Sequence, residues 1–270
     1  MNGKRVKRFV QALLLGILLL NVAVKDVQAR GQEQLLNGDP REQILQATVQ
    51  LSASITLSKP VGTNRVKETS MTGHGLGSLI RKDGRVFIVT HNHWGEPLQN
   101  ESLVEFRDAK QNLLLTLSGA QFKDLIHYKD AGTLILNAPE ELFASRERQR
   151  ALAPAQLAFE KKNDAFTIKP GDVVQVAYRP ADNFQQVELL EAKIESISKF
   201  KGVPTLNLRS LNGQAVAPGD SGGGIWFQGR LVANLWGRLL LERAAKNGSS
   251  NQTQLVETDL YYSAVFPTSR

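Results

Sequence analysis

The sequence predicts an all-β protein, and three observations carry that expectation. Apolar residues alternate strictly through Leu45, Ala47, Val49, Leu51, Ala53, Ile55 and Leu57, a period of two that turns one face of a strand toward a core. Two apolar runs, 73–80 and 86–90, flank the pair Asp83-Gly84, the strongest short-range signal for a hairpin. Further short apolar runs at 103–106, 113–117, 133–136, 172–178, 187–197, 205–208, 224–227, 231–236 and 259–266 are separated by turn residues. Short strands at such spacing build β-barrels or sandwiches rather than parallel sheets, which would need helices between them.

The first twenty-nine residues stand apart from this pattern. Lys4, Arg5, Lys7 and Arg8 precede a run from Phe9 to Val24 interrupted only by Gln11, Gly16 and Asn21, and Val27-Gln28-Ala29 follows. A basic start, an apolar stretch and small residues at a cleavage site form a secretory signal peptide, with an uncleaved N-terminal anchor as the alternative. The body of the protein is therefore expected outside the cytoplasm, secreted or in the cell envelope. A membrane partner is expected only if the segment stays uncleaved. Residues 30–43, polar with Gly38 and Pro40, read as a lead-in or propeptide. Residues 44–138 read as a first β unit and 166–270 as a second. The connector at 139–165 holds Pro139, Glu140 and Glu141 ahead of Arg146, Arg148 and Arg150, a charge order that suits a short helix. The run 242–253 reads as a loop.

Composition narrows the chemistry. There are no cysteines among 270 residues, so a disulfide framework, a thiolate metal site and a cysteine nucleophile are all excluded. The net charge of +7 comes largely from the leader: without residues 1–29 there are 28 basic against 25 acidic residues, a net of +3. No basic stripe with interleaved aromatics is present, and nucleic acid is not an expected partner.

The stretch with the most chemical content is Pro218-Gly219-Asp220-Ser221-Gly222-Gly223-Gly224-Ile225-Trp226. Glycines at this density allow positive φ and close backbone approach. They let the N–H groups of Gly219 and Ser221 converge as an oxyanion hole beside the Ser221 hydroxyl. Such a hydroxyl needs a base, and the base needs an orienting acceptor. Four histidines are available: His74, His91, His93 and His127. His91 and His93 follow the apolar strand that ends at Thr90. As a metal pair they would lack a third and fourth ligand; His74 and His127 read as structural. Asp130 heads the apolar run at 133–136, and Asp124 is the alternative carboxylate.

Gly-Asp-Ser-Gly-Gly-Gly at 219–224 resembles the nucleophile turn of the chymotrypsin/trypsin-like serine peptidases, with Gly224 where that family usually has proline. Thr90-His91-Asn92-His93-Trp94 resembles its Thr-Ala-Ala-His motif. That makes His93 the base by position, leaves His91 as the alternative, and puts Trp94 where vertebrate members have cysteine. Lys129-Asp130-Ala131-Gly132-Thr133-Leu134 is similar to the strand start that holds the family's aspartate. Leu231–Gly237 is similar to its Ser-Trp-Gly strand, with Leu235 replacing the serine and Trp236 and Gly237 matching. The order His93, Asp130, Ser221 is the family's order.

The resemblance implies two six-stranded antiparallel β-barrels of the trypsin-like type with the active-site cleft between them. It implies a serine endopeptidase acting through an acyl-enzyme: Ser221 as nucleophile, His93 as base and Asp130 as its orienting partner. Gly219 and Ser221 would bind the oxyanion, and Trp236 and Gly237 the substrate chain. Ala215 would floor a pocket for an uncharged side chain, since Asn234 stands where glutamate-specific bacterial members show histidine. Protein or peptide would be the substrate; no cofactor and no metal is expected, and the protein would be a monomer. The alternative is a secreted binding module on the same fold that has lost activity.

Overall fold

The computed structural model describes residues 39–60, 66–95, 98–155, 168–180, 183–200, 202–244 and 253–265. The chain divides into two units, Met1–Gln43 and Ile44–Arg270. The expected signal peptide, most of the lead-in and residues 156–165 of the connector lie outside the described residues. Among the described residues no helix is long and apolar enough to cross a membrane.

The first element among the described residues is a helix, α1 (Pro40–Gln46), so Leu45 belongs to a helix and not to the strand that its alternation predicts. The cause is local. Asp39 precedes a proline at the first helical position, where the missing N–H costs nothing, and its carboxylate accepts from Arg41 N–H at 2.9 Å. Strand β1 (Thr48–Pro60) then pairs with β2 (Val66–Lys82), and β2 turns into β3 (Arg85–Thr90). The turn between them is the predicted Asp83-Gly84, both at positive φ (50° and 75°), as the twist of a tight hairpin requires.

The front half continues with β4 (Leu103–Asp108), β5 (Leu113–Ser118), a short helix α2 (Gly119–Asp124), β6 (Ile126–Lys129) and β7 (Leu134–Asn137). All seven strands form one antiparallel sheet in the order β5-β4-β1-β2-β3-β7-β6. This is an open seven-stranded sheet where a closed six-stranded barrel is expected. The seventh strand and α2 come from 119–129, a stretch with no clean alternation; Ser118 caps α2 in a reciprocal box with Gln121. A turn of 3-10 helix at Glu140–Phe143 and the helix α3 (Arg146–Ala151), capped by Ser145, fill the described part of the connector.

The back half matches the expected strands closely: β8 (Val173–Tyr178), β9 (Glu188–Phe200), β10 (Val203–Ser210), β11 (Gly224–Phe227), β12 (Arg230–Ala244) and β13 (Thr253–Val265). They close into a six-stranded barrel, β10-β13-β12-β11-β8-β9. The flanks of the expected 242–253 loop are strand; residues 245–252 are not among those described. The two-part all-β fold that the sequence predicts is the observed architecture.

Three apolar clusters form the core, and one of them joins the halves. One fills the front sheet around Val49, Leu79, Ile88, Trp94 and Phe106. A second fills the barrel around Val176, Leu190, Leu208, Ile225 and Val232. The third takes Leu76, Ile80, Phe87 and Val89 from the front and Ala177, Leu189, Trp226 and Leu231 from the back. Trp226 alone, 1% exposed, contributes on the order of 2–3 kcal/mol by its burial in that seam. The end of β3 and the turn before β11 meet at its edge.

Candidate active site

Ser221 sits in the turn that leads into β11. Its shape follows from what crowds it. Gly219 and Gly222 lie at φ 103° and 89°, a region that disfavours any residue with a Cβ. A Cβ at Gly222 would lie 2.1 Å from Leu76 O, 2.4 Å from Thr90 Oγ1 and 2.9 Å from His91 N. The turn is therefore pressed against the ends of β2 and β3. Gly224, where proline was the family expectation, has its own reason: a Cβ there would meet Trp226 Nε1 at 2.4 Å and Ser78 Oγ at 2.5 Å.

Backbone bonds clip the turn on both sides. Leu76 N–H donates to Ser221 O at 2.9 Å, Gly222 N–H to Leu235 O at 2.8 Å, and Leu235 N–H to Gly223 O at 2.7 Å. Beneath the turn Asp220 is fully buried. Its carboxylate accepts from Ala217 N–H (2.8 Å) and Arg179 N–H (3.0 Å) and pairs with the Arg179 guanidinium at 3.5 Å. Arg179 also donates from Nη2 to Gly219 O at 2.6 Å. Burial pushes the Asp220 carboxyl up to about 6, against the pull of these donors and the Arg179 charge. Among the described residues neither Gly219 N–H nor Ser221 N–H has a protein partner.

The imidazoles lie just past β3, where Asn92–Gly95 forms a 3-10 turn. Trp94 is 1% exposed. Its ring lies on Gly75, where a Cβ would come within 2.6 Å of it. His91 is buried and His93 keeps an exposed face. Their Nδ1 atoms are 2.6 Å apart, and His93 N–H donates to His91 Nδ1 at 3.1 Å. Burial, with His93 second, pushes His91 down to about 3; burial also lowers His93. The His91 ring lies 5.7 Å from that of Trp236, whose carbonyl accepts the Ser221 hydroxyl at 3.3 Å.

The expected site residues thus converge unequally. Ser221, His91, His93 and Trp236 form one neighbourhood. Asp130 is close by, since Asn92 Nδ2 donates to its carbonyl. Its carboxylate, however, caps its own turn: Oδ1 accepts from Gly132 N–H (2.9 Å) and Thr133 N–H (2.8 Å), and Oδ2 from Tyr128 OH (2.9 Å). Among the described residues no hydrogen bond joins Ser221 to His93, or His93 to Asp130. Ala215 is exposed, and Gly237 lies in β12 opposite Tyr262. Asp124 ends α2 on the surface, and His127 pairs its ring with Phe87 at 5.1 Å. No group of three His, Asp or Glu able to hold a metal occurs among the described residues.

Two contributors were not foreseen. Arg179 stands between Tyr178 and Pro180 at the end of an apolar strand, where a cation signals a buried partner only once Asp220 is known to face it. Asn234 is buried at 1% exposure. It donates to Gly132 O at 3.0 Å and to Thr90 O at 3.5 Å, and it accepts the Thr133 hydroxyl at 3.0 Å. It ties the barrel to both strand ends that flank the imidazoles. Beside the serine turn, His74, Arg179, Glu105, Arg107, Gln50 and Phe184 border a cavity of about 540 Å³.

No family model and no curated protein matches this chain. Solved structures do. The chain is similar to an inactive serine-to-alanine mutant of Rv3671c from M. tuberculosis H37Rv, at 16% identity and TM-score 0.46, over 86% of each chain. It is similar to the scabies mite inactivated protease paralogue S-I1, at 12% identity and TM-score 0.47, over 83% of this chain and 91% of that one. It is also similar to the tobacco vein mottling virus protease, at 11% identity and TM-score 0.45, over 85% of this chain and 82% of that one.

Proposed function

We propose that the chain is a serine endopeptidase acting outside the cytoplasm. The observation that carries this reading is a serine in a glycine turn, with two unpartnered N–H groups beside it, pressed against the strand end that bears an imidazole pair. Ser221 attacks the scissile carbonyl and its proton passes to His93 Nε2. Rotation about χ1 exchanges the long bond to Trp236 O for one to the imidazole. The tetrahedral oxyanion is taken up by Gly219 and Ser221 N–H, which need no reorganisation because the turn is already fixed by Arg179 and Asp220. His93 returns the proton to the leaving amine, and water repeats the sequence on the acyl-enzyme.

The peptide substrate runs along β12 at Trp236 and Gly237, and Ala215 leaves the primary pocket without charge. Export follows from the leader, with cleavage after Ala29; mass spectrometry of exported protein should find Arg30 as the first residue, and a retained leader would mean an anchored protein.

A fluorophosphonate probe tests the activity directly. The full chain should be labelled at Ser221, identified by peptide mass, and Ser221→Ala should abolish labelling and lower kcat by about 10⁶. A well-folded chain that takes no label is a binding module on the same fold.

A further inference from the structure

The geometry points to His91, and not Asp130, as the group that orients the catalytic imidazole: His93 donates its Nδ1–H to His91 Nδ1. This rests on the reading of Ser221 and His93 given above and deepens it. The 2.6 Å separation of the two Nδ1 atoms admits one proton between them, since two N–H groups would clash and two bare lone pairs would repel. Which ring holds that proton follows from a second bond. His91 Nδ1 also receives the His93 backbone N–H at 3.1 Å, so it is the bare nitrogen, and the shared proton belongs to His93. His93 is thereby held as the Nδ1–H tautomer, whose Nε2 lone pair is the one a general base requires.

The carboxylate expected in this role is committed to three donors of its own segment, Gly132 N–H, Thr133 N–H and Tyr128 OH. His91 lies behind His93, buried, with Trp236 across its ring. Its low pKa keeps it neutral throughout the working range. An imidazole acceptor fixes the tautomer as a carboxylate would, but it stabilises imidazolium less, because it brings no negative charge. His91 is a positioning residue that acts only through His93.

Two readouts test this, one of them independent of activity. Nitrogen-15 NMR of histidine-labelled full chain should show His93 as the Nδ1–H tautomer, with that proton shifted downfield, and His91 protonated at Nε2. In His91→Ala the downfield proton should vanish. A His93 protonated at Nε2, or signals indifferent to His91→Ala, would overturn the proposal. The second readout is the rate of fluorophosphonate labelling against pH. His91→Ala should lose about 10²–10⁴-fold. His91→Asp, which restores an acceptor and adds a charge, should recover most of that and move the acid limb of the profile to higher pH. Labelling that His91→Ala leaves unchanged would overturn the proposal. So would a limb that His91→Asp leaves in place. If the wild-type chain takes no label, the peptidase reading fails, and the tautomers still decide the histidine pair. A melting curve of each variant separates loss of fold from loss of orientation.

Discussion

The two sides of the candidate site are built in opposite ways. The serine turn is clipped along its length, with only the Gly219 and Ser221 N–H groups left open: Asp220 has donors from Ala217 and Arg179, Ser221 O is held by Leu76, and Gly222 and Gly223 are bonded to Leu235. The histidine turn is not. His91 Nε2, Asn92 Oδ1 and Trp94 Nε1 are buried without a hydrogen-bond partner. Buried polar groups left unpaired cost about 1–3 kcal/mol each, and such groups cluster where structure is maintained for something other than stability. One side therefore serves as a fixed frame, and the other sets a buried imidazole, His91, against a more exposed one, His93, where their protonation can be tuned. The fixed side should fail by unfolding when altered, and the tuned side by changing its pH response.

The sharpest break falls on the frame. Gly222→Ala places a methyl group 2.1 Å from Leu76 O at a positive φ, combining backbone strain with overpacking against backbone. It should cost about 4 kcal/mol, read from the midpoint of urea denaturation. A loss below about 1 kcal/mol would mean that the turn yields and is no frame.

Arg179→Met comes next. It removes the cation from a carboxylate that is fully buried, for a loss of about 3 kcal/mol at pH 7. The loss has a sign in pH. The Asp220 pKa in the fold is raised to about 6, above the roughly 3.9 of an unfolded chain. Protonation therefore favours the folded state, and the penalty should shrink as pH falls through 6. Denaturation at pH 7.5 and 5 measures both effects; a penalty independent of pH would remove Asp220 from the account.

The smallest effect belongs to the tuned side. Burial lowers the His93 pKa, so the neutral imidazole persists to more acid conditions than a free one allows. The acid limb of probe labelling should have its midpoint below the ordinary value of about 6.5, and a midpoint above it would show that a nearby charge, not burial, governs the ring.

Much of this was legible in the chain itself, for identifiable reasons. The barrel strands were readable because Val173–Tyr178 and Leu231–Trp236 are compact apolar runs set off by turn residues such as Gly171 and Gly229. The Asp83-Gly84 turn was readable because few residues tolerate its backbone. The helix at Pro40–Gln46 was missed because its apolar residues run in phase with the strand after it, and only Asp39-Pro40 marks the start. The strand Ile126–Lys129 has a burial pattern too short to see against the helix before it. At the site, glycines announced Ser221. The pairing of His91 with His93 depends on a 3-10 turn that folds two nearby rings together, and Arg179 on a partner forty-one residues away. Contacts of that kind have no signature in composition or periodicity.

The amide of Asn234 has a consequence for how the molecule comes into being. It lies in β12, and its neighbour Leu235 is what clips Gly222 and Gly223. A ribosome releases Thr90, Gly132, Thr133 and Ser221 before either residue. Until β12 is made, the nascent protein carries the serine with its turn unclipped and the strand ends around the imidazoles unjoined. Assembly of the centre is thereby postponed until that strand has been made, a delay written into chain order that needs no inhibitor to enforce it.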